Sequence, residues 1–283
     1  MPSRALVLGG RGLAGIAWEI GVLQGLLDAG IPMLDADVVV GTSAGSAVGA
    51  GASLSAELVK MFYEQQLEKG PNDHEMGADL DIEQFATTML QALASATTPE
   101  DARAKLGAVA LATETVPESK RREIISARLP NKEWPERKLI ITACDAQTGE
   151  FVTFDRDSGV ELVDAVAASC SVPGVWPPVT INGRRYMDGG VRSTTNADLA
   201  EGYERVLILA PFPPIASPMG GTFEDEIAPL RAKGEVVAVV PDQAAQTAFG
   251  FNPLDPSTRP ESARAGLAQA ASYAEEVRAL WAD

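Results

Sequence analysis

The chain has 283 residues and a formal net charge of −16; this speaks against nucleic acid as a partner and gives no help in binding anionic membranes, while the length suffices for a sizeable core. The two cysteines, Cys144 and Cys170, lack metal-ligand spacing and sit in apolar segments, so reduced core thiols are expected, with neither a disulfide nor a metal. No run approaches the roughly 18 apolar residues of a membrane span, and the short, glycine-broken run after Pro2-Ser3-Arg4 is no signal peptide, so a cytoplasmic location is expected.

Ala5-Leu6-Val7-Leu8 reads as a buried parallel strand ended by glycines. Ile16 to Ala29 carries Ile16, Ile20, Leu23 and Leu27 at helical spacing and stops at Gly30 and Pro32. Val38–Val40 is the second strand, Ser43 to Leu54 the helix it feeds, and 56–69 an amphipathic helix. Residues 70–135 turn Ala-, Glu- and Thr-rich. Helices are expected there, one opening at Thr98-Pro99-Glu100-Asp101 with a cap, a proline and first-turn acids. This stretch is either a helical cap over a site or surface padding.

Strands return at Lys138–Cys144 and, after the turn Gln147–Glu150, at Phe151–Phe154. Val163 to Ser169 is a short helix, and Pro173, Pro177 and Pro178 stiffen the loop beyond it. Val179–Ile181 and Arg184–Tyr186 flank Asn182-Gly183, a type I′ hairpin signal. Val206–Leu209 and Val236–Val240 are two more strands. A last helix, Glu261 to Trp281, presents Leu267, Ala270, Ala271, Ala274, Val277 and Trp281 as one stripe. Strands alternating with helices imply a three-layer α/β/α sandwich around a mostly parallel sheet. Nothing in the patterning sets an oligomeric state.

Three glycine-bearing motifs carry chemistry. Gly10-Arg11-Gly12-Leu13-Ala14-Gly15, between a strand and a helix, is a literal G-x-G-x-x-G, and Asp35 or Asp37 is the acid a dinucleotide-binding unit needs. That acid, however, precedes the second strand, whose carboxyl end carries Gly41-Thr42-Ser43-Ala44-Gly45 instead. This second motif is a G-x-S-x-G elbow: the glycines keep side chains out of a sharp turn that exposes Ser43. With a serine nucleophile, the first loop reads as backbone donors for an oxyanion; a plain tight turn is the bland alternative. The only histidine, His74, lies in a polar loop-like stretch too early for a Ser-Asp-His hydrolase and is expected at the surface. A carboxylate is the remaining base: Asp188, in Asp188-Gly189-Gly190, is preferred to Asp145, which ends a strand and reads as structural.

Gly9 to Gly15, Gly41 to Gly45 and Asp188 to Gly190, with Ala168-Ser169-Cys170-Ser171-Val172-Pro173-Gly174-Val175-Trp176-Pro177-Pro178 before the aspartate, resemble the patatin-like phospholipase family. The resemblance implies one domain over 1–283 with a variable helical insertion at about 70–135, a histidine-free Ser43–Asp188 dyad, and an oxyanion hole from the amides around Gly10, Arg11 and Gly12. Gly15, Gly41, Gly45, Gly189 and Gly190 would be motif glycines. It implies hydrolysis of a lipid or other acyl ester through an acyl-enzyme, with no cofactor or metal. Arg11 departs from the family's unbroken glycines, leaving open which amides face the hole and where its guanidinium points. Soluble esters, lysophospholipids and neutral lipids all remain open as substrates. A dinucleotide oxidoreductase and a non-catalytic lipid-binding protein are the rival readings.

Overall fold

The computed structural model describes residues 2–68, 76–78, 81–212 and 222–282; His74 lies outside the described residues. In chain order come β1 (Arg4–Leu8), α1 (Gly12–Asp28), β2 (Val38–Gly41), α2 (Ala44–Ala50), α3 (Ala56–Leu67), α4 (Ile82–Leu93), α5 (Pro99–Ala112) and α6 (Glu118–Arg128). Then follow β3 (Lys138–Asp145), β4 (Phe151–Phe154), α7 (Leu162–Ser169), β5 (Val179–Ile181), β6 (Arg184–Asp188), β7 (Arg205–Leu209), α8 (Phe223–Arg231), β8 (Glu235–Val239), α9 (Gln243–Phe249) and α10 (Arg259–Trp281). All belong to one mixed α/β fold with a single sheet of order β5-β6-β3-β2-β1-β7-β8, β4 pairing with β3. The run β3-β2-β1-β7-β8 is parallel; β4, β5 and β6 form an antiparallel flank.

The alternation of side chains along each strand divides the core. Leu6, Leu8, Val39, Leu207, Leu209, Val237 and Val239 face a thick helical layer containing α1, α2, α7 and α10. Ala5, Val7, Val38, Val40, Val206 and Ile208 face a thinner one made by α8 and the 197–200 turn. β1 and β2 are buried at every position, as parallel strands covered on both faces must be.

α1 is buried from Leu13 to Leu23 because α10 lies against it at backbone distance. A Cβ at Gly21 would stand 2.1 Å from the Ala263 carbonyl oxygen, and one at Gly266 2.2 Å from that of Trp18. Ala270, Val277 and Trp281 of the expected α10 stripe are buried, and the seam adds Ala263 and Gly266, whereas Leu267 and Ala274 are half-buried and Ala271 is exposed. α2 is also shorter than expected, ending at Ala50 before a 3₁₀ turn at Ala52–Leu54. The hairpin at 182–183 has the positive φ at both central residues that its type I′ turn requires, 50° and 80°. Among the described residues no helix is long and apolar enough to cross a membrane.

The pairing of β3 positions the candidate site. Ile141 pairs with both Gly41 and Phe154, and Ala143 with both Val152 and Asp188. A strand has two edges, so β4 runs along one edge of β3 while β2 and β6 share the other, end to end. The carboxyl ends of β2 and β6 therefore meet.

Candidate active site

At that meeting point β2 turns into α2 through Ser43, whose φ of 52° and ψ of −114° lie where side-chain-bearing residues are rarely found. The flanking glycines make the turn feasible. A Cβ at Gly41 would lie 2.7 Å from Ser46 Cα, and one at Gly45 2.1 Å from the Leu8 carbonyl oxygen. Their role is thus to let α2 press on the end of β1, more than to clear a path for substrate. Because backbone on both sides must move, Gly45→Ala is expected to destabilise by about 4 kcal/mol or more. A thermal melt reads this directly; a melting point within a degree or two of wild type would contradict the packing.

Ser43 Oγ donates to Asp188 Oδ2 at 2.7 Å. Asp188 ends β6 and is almost wholly buried, and Gly190 N–H donates to its other oxygen at 2.7 Å. Burial raises its pKa to about 7, against the opposing effect of the Ser43 and Gly190 hydrogen bonds. A hydroxyl held on a carboxylate that titrates near neutrality can pass its proton to it. Gly189 is required by close approach, since its Cβ would stand 2.3 Å from Thr142 Oγ1.

The two side chains are held from behind. Ser43 N–H donates to Ser169 Oγ at 2.9 Å, and Ser43 O accepts from Ser46 Oγ at 2.6 Å and Cys170 Sγ at 3.2 Å. Asn196, itself at φ 48°, donates to Thr42 Oγ1 and the Gly189 carbonyl, and Thr42 and Thr142 hydroxyls bond at 2.9 Å. Glu226 of α8 fixes that loop by accepting from Ser193 Oγ, Thr195 Oγ1 and Ala197 N–H. Asn196 and Glu226 escape sequence reasoning: their only signal is a short polar run after Asp-Gly-Gly, which ordinary turns share.

The glycine loop lies against the serine, a Cβ at Gly10 falling 2.9 Å from Ser43 Cβ. Its amides differ from expectation in one respect. Gly10 N–H already donates to the Thr194 carbonyl at 2.8 Å, so it holds the loop in place and is not free to meet a substrate. Among the described residues the amides of Arg11 and Gly12 have no backbone acceptor, and they stand at the positive end of the 17-residue α1. Gly12 needs its glycine for a φ of 57°, and a Cβ at Gly15 would stand 2.8 Å from Arg11 Cβ. The Arg11 guanidinium stacks over Phe212 and Phe249, 4.7 and 5.1 Å from their centroids.

A narrow cleft opens on Ser43 between Leu13, Val172, Trp176 and Leu254, and α6 brings Arg121 and Arg128 to its wall. The Arg121 guanidinium lies 4.1 Å from the Trp176 ring centroid. Leu13 belongs to the glycine loop and Val172 and Trp176 to the 168–178 segment, whereas Arg121, Arg128 and Leu254 lie in no motif.

The remaining candidates fall elsewhere. Asp145 accepts from Gln147 N–H, Thr148 N–H and Arg184 Nε, which makes it the anchor of the turn after β3. Asp37 accepts from Arg4 N–H at the amino end of β2, and Asp35 lies just before it, so both stand at the opposite end of that strand from the glycine loop. Pro253 O and Leu254 fill the space beside Gly12 where a pyrophosphate would approach, so this geometry does not support a dinucleotide site. Both cysteines are free and buried, and burial pushes the Cys144 thiol up to about 12. Among the described residues no three His, Cys, Asp or Glu side chains converge as metal ligands would.

A family model described as patatin-like phospholipase matches residues 6–201. Among curated proteins, the chain is similar to "Lysophospholipase nte1" of Aspergillus niger, 48% identical over 60 residues, and to the protein of that name from Aspergillus oryzae, 47% identical over 60. Each match covers 21% of this chain and only 4% of the relative. Among solved structures, VipD from Legionella pneumophila superposes with a TM-score of 0.51 at 13% identity, over 98% of this chain and 67% of that one, a likeness of fold.

Proposed function

Because this chain belongs to the patatin-like phospholipase family, we propose that it cleaves carboxylic esters of lipids through Ser43 and Asp188, as a phospholipase A, lysophospholipase or esterase. The observation that carries this reading is the 2.7 Å hydrogen bond from Ser43 Oγ to a buried carboxylate, at an elbow strained as a nucleophile's is. Asp188 takes the hydroxyl proton as Ser43 Oγ attacks the ester carbonyl carbon. The amides of Arg11 and Gly12 stabilise the oxyanion of the tetrahedral intermediate. Its collapse returns the proton to the leaving alcohol and leaves an acyl-serine. Water, deprotonated by the same aspartate, then releases the fatty acid and restores Ser43. No cofactor enters these steps, and the apolar cleft walls suit an acyl chain. The helices α4 to α6 fit a variable insertion within one domain.

The test is labelling by a fluorophosphonate together with turnover of p-nitrophenyl esters from acetate to palmitate. Modification at Ser43 and a chain-length optimum support the reading; a folded protein that neither labels nor turns over any ester would favour a non-catalytic lipid-binding role. The base must be ionised to act, so log kcat/KM is expected to rise with unit slope up to an apparent pKa near 7 and then level. A pH–rate profile on p-nitrophenyl butyrate checks this, and a flat line down to about pH 5 would remove Asp188 from the role.

A further inference from the structure

α4 is unlike the other helices: none of its residues is buried. Phe85 and Met89 are half-buried against the body, while Ile82, Ala86 and Leu90, spaced i, i+4, i+8, line up along the exposed flank of the same apolar face, Leu90 being 61% exposed. The chain approaches α4 from the Leu254 side of the cleft, where Asn252 Nδ2 donates to Ala78 O and a Gly77 Cβ would stand 3.2 Å from Leu254 O. Further along, Met89 Cε lies 3.5 Å from the position of a Gly174 Cβ, between the wall residues Val172 and Trp176. α4 thus runs across the cleft mouth. Beside Asn252 stands Phe251, 98% exposed.

Charge distinguishes this face. In a chain of net −16, the whole of 84–98, Gln84 through Thr98, carries no charged residue. An anionic surface would be repelled by the rest of the molecule and by Asp81 and Glu83 at the start of α4, and a cationic partner would find acids on this helix only there, two turns before Leu90. An apolar phase with no net charge is not repelled and needs no countercharge, and it accepts single protruding side chains without needing a matching pocket.

We propose that the exposed apolar flank of α4, with Phe251, docks on a zwitterionic lipid surface and so presents the cleft mouth to an ester held in it. The proposal rests on the lipid-ester reading above for its purpose, but its binding step is measurable without turnover. The probe is sedimentation with vesicles of diether phosphatidylcholine, which contain no ester to cleave. Wild type is expected to pellet, and Phe251→Asp and Leu90→Asp each to weaken partitioning about tenfold. Melting temperature and turnover of monomeric p-nitrophenyl butyrate should stay near wild type, and the milder pair Phe251→Ser and Leu90→Gln should shift partitioning the same way. Phosphatidylglycerol in the vesicles should weaken wild-type binding, and salt should relieve that loss.

Failure of wild type to pellet, pelleting of the double aspartate variant like wild type, or tighter binding to anionic than to zwitterionic vesicles would each overturn the proposal. A wild-type dimer made monomeric by the double variant, with pelleting unchanged, would assign the face to a second copy. Normal pelleting with no turnover of any ester would defeat the hydrolase reading and leave docking intact.

Discussion

Ser43→Ala is expected to lower turnover of p-nitrophenyl esters and of lysophospholipid by about 10⁴-fold or more, with KM little changed. The substitution removes the atom proposed to form the acyl-enzyme, and no neighbour can replace it: Ser46 and Ser169 spend their hydroxyls on the Ser43 carbonyl and amide. Alanine inherits the strained φ of 52° without a new clash, so the fold should persist. Loss of the Oγ–H donor removes one of the two hydrogen bonds that favour the Asp188 carboxylate, leaving burial to keep it protonated to higher pH. Circular dichroism and a melt would show an intact protein. Residual turnover above about one per cent of wild type, in protein free of contaminating esterase, would mean that another nucleophile acts.

Asp188→Asn should separate activity from stability. The asparagine retains an oxygen for Gly190 N–H and fits the same space, yet it cannot take the Ser43 proton, so kcat is expected to fall about 10²–10⁴-fold. Stability should move the other way. In the unfolded chain an aspartate releases its proton near about pH 4, whereas burial keeps Asp188 protonated up to about pH 7. Between those values the native state binds more proton, so the stability this group permits is fully present at low pH and is lost as pH rises through 7. The loss amounts to about 4 kcal/mol at most. Asp188→Asn should therefore melt higher than wild type at about pH 8, with the difference vanishing toward about pH 4. An inactive variant that melts lower at every pH would show instead that the carboxylate stabilises the fold.

What was legible in the sequence was local. The strand-glycine-serine-glycine-helix grammar from Val38, the Asn182-Gly183 hairpin and the Thr98 cap each depend on neighbours within a few residues, and each formed, although α2 ends at Ala50 where a helix to Leu54 was expected. α8 and α9 left too weak a signal: α8 is acid-rich with Pro229 inside it, and α9 is seven residues long. Contacts made across the chain were not legible from patterning; the meeting of Ser43 with Asp188 was expected only through the family resemblance. Gly10 looks like a free oxyanion donor until Thr194, 184 residues away, claims its amide. Arg121 and Trp176 meet at the cleft wall from separate segments, and Asn196 serves both the elbow and the Asp-Gly-Gly turn. Such pairings arise from topology, which no periodicity encodes.

The shared edge of β3 limits how the placement of Ser43 against Asp188 can vary. Ser43 follows directly from the end of β2 and Asp188 closes β6, and both strands take their place from main-chain pairing to β3. Pairing along a pleat changes only in whole residues, and a slip of one residue turns a side chain to the opposite face of the sheet. The separation of Ser43 and Asp188 is therefore digital: core side chains around it can be exchanged without retuning it, but a single insertion or deletion within Ile141–Ala143 would misalign the two halves by a full step. Natural drift in this chain should accumulate as substitutions there, never as changes in length.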